Sequence, residues 1–188
     1  MDTQSSLPRF GLFNTEARVI HSESVGQDFL PSIFQNPPAE SRLASFTDFF
    51  KHELFPLIET EYHGSPQDRA LFGFSSGGFF TVHTMLTQPG MFRRYIAASC
   101  TWPKADDYLL NCERQYAAQP AHPPTDLYLS VGGLEGELLP GFRKLTQTLQ
   151  GRRYPGLRLV TQIWEGETHN SGVLAKTFLE GVRAVLRP

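Results

Sequence analysis

The sequence predicts an α/β fold in which a mostly parallel sheet is covered by helices on both faces. Short apolar segments of strand length alternate along the chain with longer segments whose apolar residues recur at helical spacing. Strands that are separated by helices of this length run parallel, because each helix returns the chain to the same end of the sheet. The 188 residues suffice for one substantial core, so we expect residues 1–188 to form a single domain.

Five segments have the composition of strands. RFGLFN is predicted to be a short strand, and the polar, proline-containing stretch after it is predicted to be a long loop. The next strand, RALFGF, stops abruptly at Ser-Ser-Gly-Gly, and the three later strands are separated from it and from one another by longer segments. The predicted strands are residues 9–14, 69–74, 93–100, 126–133 and 156–166.

Four segments are predicted to be helices. The first, residues 42–62, has one apolar stripe and contains Pro56, which should kink or interrupt it. The second starts at the Ser-Ser-Gly-Gly turn and ends at Pro89-Gly90, whereas residues 101–125 are predicted to be loop-rich. The third helix follows the fourth strand. The last is expected to bury one face made of Leu174, Phe178, Val182, Val185 and Leu186.

Composition excludes several classes of function. A net charge of −2 gives no electrostatic case for nucleic acid or for an anionic membrane surface. The longest apolar runs are far short of a membrane span, and the first residues do not resemble a signal peptide. Cys100 and Cys112 form neither a metal-binding spacing nor a disulfide framework. We therefore expect two free thiols in a cytoplasmic protein.

One short motif carries chemistry. Residues 73–77 read Gly-Phe-Ser-Ser-Gly and match G-x-S-x-G between a predicted strand and a predicted helix. That setting is typical of a nucleophile elbow, a strained turn that exposes a serine, here Ser75, at the start of a helix. The helix N-terminus favours the negative charge that develops when the serine attacks. The alternative is a Gly-Ser turn that only joins a strand to a helix.

A nucleophilic serine needs a base and an acid, which should follow other strands in the order serine, acid, histidine. His169 is the one histidine that comes directly after a strand following the serine; the alternative is a solvated loop histidine. Glu135 and Glu137 follow the fourth predicted strand, and we favour Glu135 as the acid. Glu165 and Glu167 are close to His169 in sequence, which makes them poorer candidates. Three metal ligands from that one short loop would be unusual, so no metal is expected.

These segments resemble a known family. Residues 49–99, with the elbow at their centre, are similar to the putative-esterase family of α/β-hydrolases, and most of all to its siderophore (enterochelin-type) esterase branch. That family also includes esterase D, feruloyl esterases and mycolyltransferases. LYLSVGGLEGE and WEGETHNS resemble its acid and histidine segments. The resemblance implies that Ser75 is the nucleophile, Glu135 the acid and His169 the base, with the Ser76 N–H as one oxyanion donor.

The chain also departs from the family pattern. FGLFNTEARVIHSESVGQDFLPS resembles a stretch that lies well inside the family's domain, so the chain is expected to lack roughly ninety upstream residues, with the first three strands. The third of those strands carries the loop with the second oxyanion donor and lies beside the nucleophile strand. The remaining RFGLFN segment would either pair with the nucleophile strand RALFGF or leave the edge of that strand exposed, and an exposed edge could support a homodimer. AASCTWP replaces the family's Ser-Pro-Ser, which makes Trp102 a candidate pocket wall or a core residue.

The sequence therefore predicts a serine esterase. His169 would take the Ser75 proton during attack on a small-molecule carboxylic ester, and water would release the acid without any cofactor. The acyl and alcohol parts of the substrate are not specified by the residues. The alternative is a catalytically weak or inactive truncated relative, acting as an interaction module or representing a fragment.

Overall fold

A computed structural model describes residues 43–103 and 106–186, and the predicted strand 9–14 and the loop after it lie outside these residues. The described part contains a four-stranded, fully parallel sheet whose strands lie side by side in chain order. All four later strand predictions are confirmed. The strands are β1 (Ala70–Phe74), β2 (Arg94–Ala98), β3 (Thr125–Gly132) and β4 (Leu157–Trp164).

Helices cover both faces of the sheet, as the α/β prediction requires. α1 and α2 precede β1, α3 connects β1 to β2, α4 connects β2 to β3, α5 connects β3 to β4, and α6 follows β4. The larger core cluster joins one face of the sheet to apolar residues of α3, α4 and α5, and the smaller cluster joins the other face to α6. The helices are α1 (Leu43–Phe49), α2 (Phe55–Glu61), α3 (Ser76–Thr87), α4 (Asp106–Ala117), α5 (Leu139–Arg152) and α6 (Val173–Val185).

The strand register brings four loops to one edge of the sheet. Phe74 of β1 pairs with Ala98 of β2, and Ala98 pairs with Ser130 of β3. Gly132, at the end of β3, pairs with Trp164 at the end of β4. Because parallel strands all end at the same edge, the segments that follow β1, β2, β3 and β4 are neighbours there.

The predicted interruption at Pro56 takes the form of a π-helical turn. Residues Phe50–Leu54 form this turn between α1 and α2, and Pro56 occupies the first turn of α2. Proline has no N–H to donate, and its ring would collide with the carbonyl four residues earlier in a regular α-helix. The wider π turn therefore lets the chain continue as a helix past the proline.

The loop-rich prediction for residues 101–125 was wrong for about half of this segment, because α4 occupies Asp106–Ala117. Leu109, Cys112 and Tyr116 recur at helical spacing and are buried in the larger core cluster. This amphipathic pattern was present in the sequence. Residues 101–103 and the proline-rich segment between Ala117 and β3 lack regular structure, as predicted.

The predicted buried face of the last helix was wrong for three of its five residues, whereas Val185 is buried and Val182 is partly buried against the smaller core cluster. α6 buries Val173, Thr177, Gly181 and Val185, whereas Leu174, Phe178 and Leu186 are 45%, 49% and 41% exposed. The small residues determine which face of α6 packs on the sheet, because a Cβ at Gly181 would lie 2.4 Å from Cγ2 of Ile96 in β2. The helix therefore approaches the sheet through its smallest residues, and Leu174, Phe178 and Leu186 stay partly exposed, Phe178 while in contact with Phe72 of β1.

Candidate active site

Ser75 occupies the sharp turn between β1 and α3. Its backbone has φ 56° and ψ −121°, a conformation that residues with a side chain rarely adopt. Two hydrogen bonds fix the turn: the Ser75 N–H donates to the Ala98 carbonyl at 2.9 Å, and the Phe79 N–H donates to the Ser75 carbonyl at 2.9 Å. The strand-turn-helix setting predicted for G-x-S-x-G is therefore present.

Two glycines let the turn approach its neighbours closely. A Cβ at Gly73 would lie 2.0 Å from the Gly77 carbonyl oxygen, and a Cβ at Gly78 would lie 2.4 Å from the Ala98 carbonyl oxygen. A Cβ at Gly77 would meet nothing within 4 Å. Of the two motif glycines, Gly73 therefore supplies the space for the close approach, and the backbone of Gly77 fills that space.

His169 lies in the loop between β4 and α6 and links the serine to a carboxylate. Its Nε2 is 3.1 Å from Ser75 Oγ, and its Nδ1 is 2.6 Å from Glu135 Oε2. An ionised carboxylate can only accept hydrogen bonds, so Nδ1 carries the proton of the neutral ring. Nε2 is then free to accept the hydrogen of the serine hydroxyl. The ring also packs on Phe74, with a centroid separation of 4.6 Å.

Glu135 follows β3 and is 5% exposed. Its Oε1 accepts hydrogen bonds from the Ser99 hydroxyl and from the Gly132 N–H, both at 2.7 Å, which leaves Oε2 to accept from His169. Glu137, the other carboxylate of this loop, is exposed. The structure therefore brings Glu135, and not Glu137, to the serine and the histidine.

Glu167 braces the loop that carries His169. Its carboxylate accepts hydrogen bonds from Lys176 Nζ, from the Ser171 hydroxyl and from the Gly172 N–H. These bonds, the one from Lys176 first, lower the pKa of Glu167 to about 2. Glu165 lies beside Gly133. Within residues 43–103 and 106–186, no group of three histidine, cysteine or acidic side chains could hold a metal ion.

Ser76 and Trp102 are the two remaining predicted site residues. Ser76 begins α3, where the N–H groups of the first turn have no acceptor within the helix. Trp102 is half-buried and packs against Phe79 at the margin of the larger core cluster, with ring centroids 5.5 Å apart. Its role as a pocket wall stays a prediction. Cys100 and Cys112 are free and buried, and burial raises the pKa of Cys100 to about 12.

The sequence analysis did not single out Ser99 or Gly132, which both donate to the candidate acid. Ser99 could have been noticed as a polar residue directly after an apolar strand, at the edge where the other site residues collect. For Gly132 a sequence gives less indication. A Cβ at Gly132 would lie 2.4 Å from the Glu167 carbonyl oxygen, a contact that only the folded loop reveals.

No helix in the described part of the chain is long and apolar enough to cross a membrane.

Comparisons with known proteins agree with this architecture. The ferri-bacillibactin esterase BesA of Bacillus subtilis (strain 168) is 28% identical over 100 residues, which are 52% of this chain and 35% of that protein. The BES protein of Bacillus cereus superposes with a TM-score of 0.77 at 26% identity, covering 88% of this chain and 64% of that one. The siderophore hydrolase EstA of Aspergillus nidulans has a TM-score of 0.72 at 20% identity, covering 87% of this chain and 66% of that one.

This chain thus spans about a third of the length of its curated relative and about two thirds of the two solved structures. A protein-family model described as "Putative esterase" matches residues 19–155, a segment that includes Ser75 and Glu135 and ends before His169. This match covers most of the chain. The chain therefore belongs to the putative esterase family, whose α/β-hydrolase-like fold it shares.

Proposed function

We propose that this chain hydrolyses carboxylic esters through an acyl-enzyme on Ser75. One observation carries the proposal: an unbroken series of hydrogen bonds joins Ser75 Oγ to His169 and His169 to Glu135. A serine hydroxyl is a weak nucleophile until a base removes its proton, and Nε2 of His169 lies within reach of that proton. Membership of an esterase family supports ester hydrolysis in general.

Acylation begins when Ser75 Oγ attacks the carbonyl carbon of the ester and its proton moves to His169 Nε2. The imidazolium that forms is stabilised by the negative charge of Glu135 at Nδ1. The carbonyl oxygen gains a negative charge, which the Ser76 N–H and the N-terminus of α3 stabilise. His169 then gives the proton from Nε2 to the leaving alkoxide, so the alcohol departs and the acyl group stays on Ser75.

Deacylation repeats these steps with water. His169 Nε2 removes a proton from a water molecule as its oxygen attacks the acyl carbon, and the proton returns to Ser75 Oγ when the acyl–serine bond breaks. The products are a carboxylic acid and the regenerated hydroxyl. All protons and electron pairs are accounted for, and the cycle requires no cofactor.

We test this proposal by labelling the purified protein with a fluorophosphonate probe, which reacts with a serine whose base is in place. Wild-type protein and Ser65→Ala should be labelled, since Ser65 is an exposed residue in the turn before β1, at the opposite end of that strand from Ser75. Ser75→Ala and His169→Ala should not be labelled. A folded wild-type protein that does not react would contradict the esterase proposal and favour an inactive relative.

Siderophore esters are the substrate class to examine first. BesA is by name a ferri-bacillibactin esterase, and EstA is by title a siderophore hydrolase. We propose that this chain acts on esters of that class, and the assay compares iron-loaded and iron-free siderophore esters with simple aryl esters. Turnover of aryl esters alone would support ester hydrolysis by this chain and overturn the proposal that its substrates are siderophore esters.

An exposed apolar surface supports a second, non-catalytic candidate, self-association as a homodimer. Among the described residues, β1 pairs only with β2, so its other edge has no strand partner there. Phe178 of α6 is half-exposed beside this edge and contacts Phe72 of β1, with ring centroids 5.3 Å apart. An apolar parallel edge of this kind is a site where further strands or chains add to a sheet.

A further inference from the structure

The turn that follows β2 lies between the two halves of the candidate active site. On one side, its Ala98 carbonyl accepts the N–H of Ser75, and on the other, its Ser99 hydroxyl donates to Glu135. We propose that Ser99 is a positioning residue that holds Glu135 in the orientation His169 requires. The inference rests on the proposed esterase function and concerns a residue that does not touch the reacting atoms.

The backbone of Ser99 has little freedom. The side chain is completely buried, and the residue adopts φ 50°, a conformation that is unfavourable for any residue with a Cβ. Its N–H donates to the Ser130 carbonyl of β3 at 2.8 Å. This backbone geometry fixes the direction of the Cα–Cβ bond of Ser99, and the hydroxyl on that Cβ donates to Glu135 Oε1 at 2.7 Å.

The hydrogen bonds divide the two oxygens of Glu135 between two tasks. Oε1 is occupied by two donors, Ser99 Oγ and the Gly132 N–H, and Oε2 accepts from His169 Nδ1 at 2.6 Å. Without the Ser99 hydroxyl, Oε1 would keep the Gly132 N–H and lose its side-chain donor, so the buried carboxylate would be held less firmly. The position of its Oε2 against His169 Nδ1 would then be less well fixed.

Thr101 provides a matched control in the same turn. Its side chain is also buried, and its hydroxyl donates to the Leu138 carbonyl at 2.9 Å rather than to Glu135. Thr101→Val and Ser99→Ala each remove one buried hydroxyl and its hydrogen bond. If Ser99 served only folding, the two variants would resemble each other in stability and in reaction rate.

The first experiment measures kcat, KM and the rate of fluorophosphonate labelling for Ser99→Ala, Ser99→Gly and Thr101→Val. Glycine adopts positive φ without strain, so Ser99→Gly removes the hydroxyl while relieving the backbone. We expect kcat and the labelling rate to fall about 10²-fold in both Ser99 variants, the usual cost of misplacing a catalytic group by about 1 Å, with KM unchanged. Thr101→Val should stay near wild type. A Ser99→Gly variant as active as wild type would overturn the proposal.

The second experiment needs no substrate. The proton on His169 Nδ1 should give a far-downfield NMR signal that is sharp in wild type and Thr101→Val and is shifted or broadened in the Ser99 variants. This signal separates the two proposals. A wild-type protein that the probe does not label would refute the esterase proposal, and the NMR comparison would still decide the role of Ser99. An unchanged signal in both Ser99 variants would refute that role.

A third variant covers the case in which Ser99→Ala and Ser99→Gly do not fold. Ser99→Cys keeps the branching of the side chain, adds the slightly larger volume of sulfur, and replaces the hydroxyl by a weak donor. We expect its labelling rate to fall in the same direction and its melting temperature to stay close to that of Thr101→Val. A folded Ser99→Cys protein with the wild-type labelling rate and the wild-type NMR signal would overturn the proposal.

Discussion

Replacing Glu135 by glutamine keeps the size of the side chain and removes its charge, and the surrounding hydrogen bonds determine how the new amide lies. The position now held by Oε1 faces two donors, the Ser99 hydroxyl and the Gly132 N–H. The amide oxygen can accept both bonds, whereas an NH₂ group there would face the Gly132 N–H, which can only donate, and would lose that bond. The oxygen of the Glu135→Gln side chain will therefore face Ser99, and its NH₂ group will face His169.

This orientation forces the wrong tautomer on the histidine. An NH₂ group 2.6 Å from Nδ1 can only donate, so Nδ1 must accept and the ring proton must move to Nε2. Nε2 then presents a hydrogen to Ser75 and cannot take the serine proton. The equivalent change in serine proteases lowers kcat by about 10⁴-fold, so we expect a similar loss here. It corresponds to a rise in the activation free energy of about 5 kcal/mol.

The assay combines ester turnover with the rate of fluorophosphonate labelling, and Glu137→Gln is the control. Both variants remove one negative charge from the same loop, but Glu137 is exposed, so its charge is screened by solvent. Glu137→Gln should keep wild-type rates. The reasoning is refuted if Glu135→Gln keeps them as well, or if Glu137→Gln loses as much activity as Glu135→Gln.

Four further predictions follow from the described contacts. Gly73→Ala should lower the free energy of unfolding by at least about 1–3 kcal/mol through overpacking, whereas Gly77→Ala should raise it by up to about 1 kcal/mol; the reverse order in urea unfolding would contradict the geometry. Burial lowers the pKa of His83 from 6.5 to about 4, so protonation of His83 favours the unfolded chain. The free energy of unfolding of wild type, relative to that of His83→Gln, should therefore be constant above pH 6.5 and drop by about 3 kcal/mol as the pH falls to 4. Because the pKa of Glu167 is lowered, wild type should have a higher free energy of unfolding than Glu167→Gln above pH 4.5, and this advantage should be lost as the pH falls towards 2. An advantage of wild type that persists at pH 2 would contradict the role of Glu167 in bracing the loop. Phe178→Lys should convert a homodimer to a monomer in sedimentation velocity, and a wild-type monomer at high concentration would exclude the dimer.

The sequence sufficed for the four described strands and for the meeting of Ser75, Glu135 and His169. Parallel strands end at one edge, so polar residues that directly follow RALFGF, DLYLSVGG and GLRLVTQIWEG had to meet there. It did not suffice for the face of α6, because helical periodicity favours large apolar residues such as Phe178. The structure instead packs Gly181 against Ile96, and close approach of a helix to a sheet depends on small residues that carry little apolar signal.

Glu135 was favoured over Glu137 from the sequence, but the physical reason for this choice is visible only in the structure. The two residues share one loop, and which of them turns inward depends on the tight turn in which the Glu135 N–H donates to the Gly132 carbonyl. The same turn places the Gly132 N–H against Glu135 Oε1. The conformation of Ser99 at φ 50° is a similar case, because serine has no particular preference for that region and the hydrogen bond to β3 imposes it.

The strand order explains why the turn after β2 carries a positioning role. The nucleophile follows β1 and the acid follows β3, so the two are separated by two strand spacings, about 9.6 Å. The imidazole of His169 and its hydrogen bonds of 3.1 and 2.6 Å bridge this gap. The imidazole therefore lies over the end of β2. Ala98 and Ser99 are completely buried there, although they stand at the carboxyl ends of the strands. Small side chains are therefore required there, and serine is the small residue that also supplies a donor to the acid beside it.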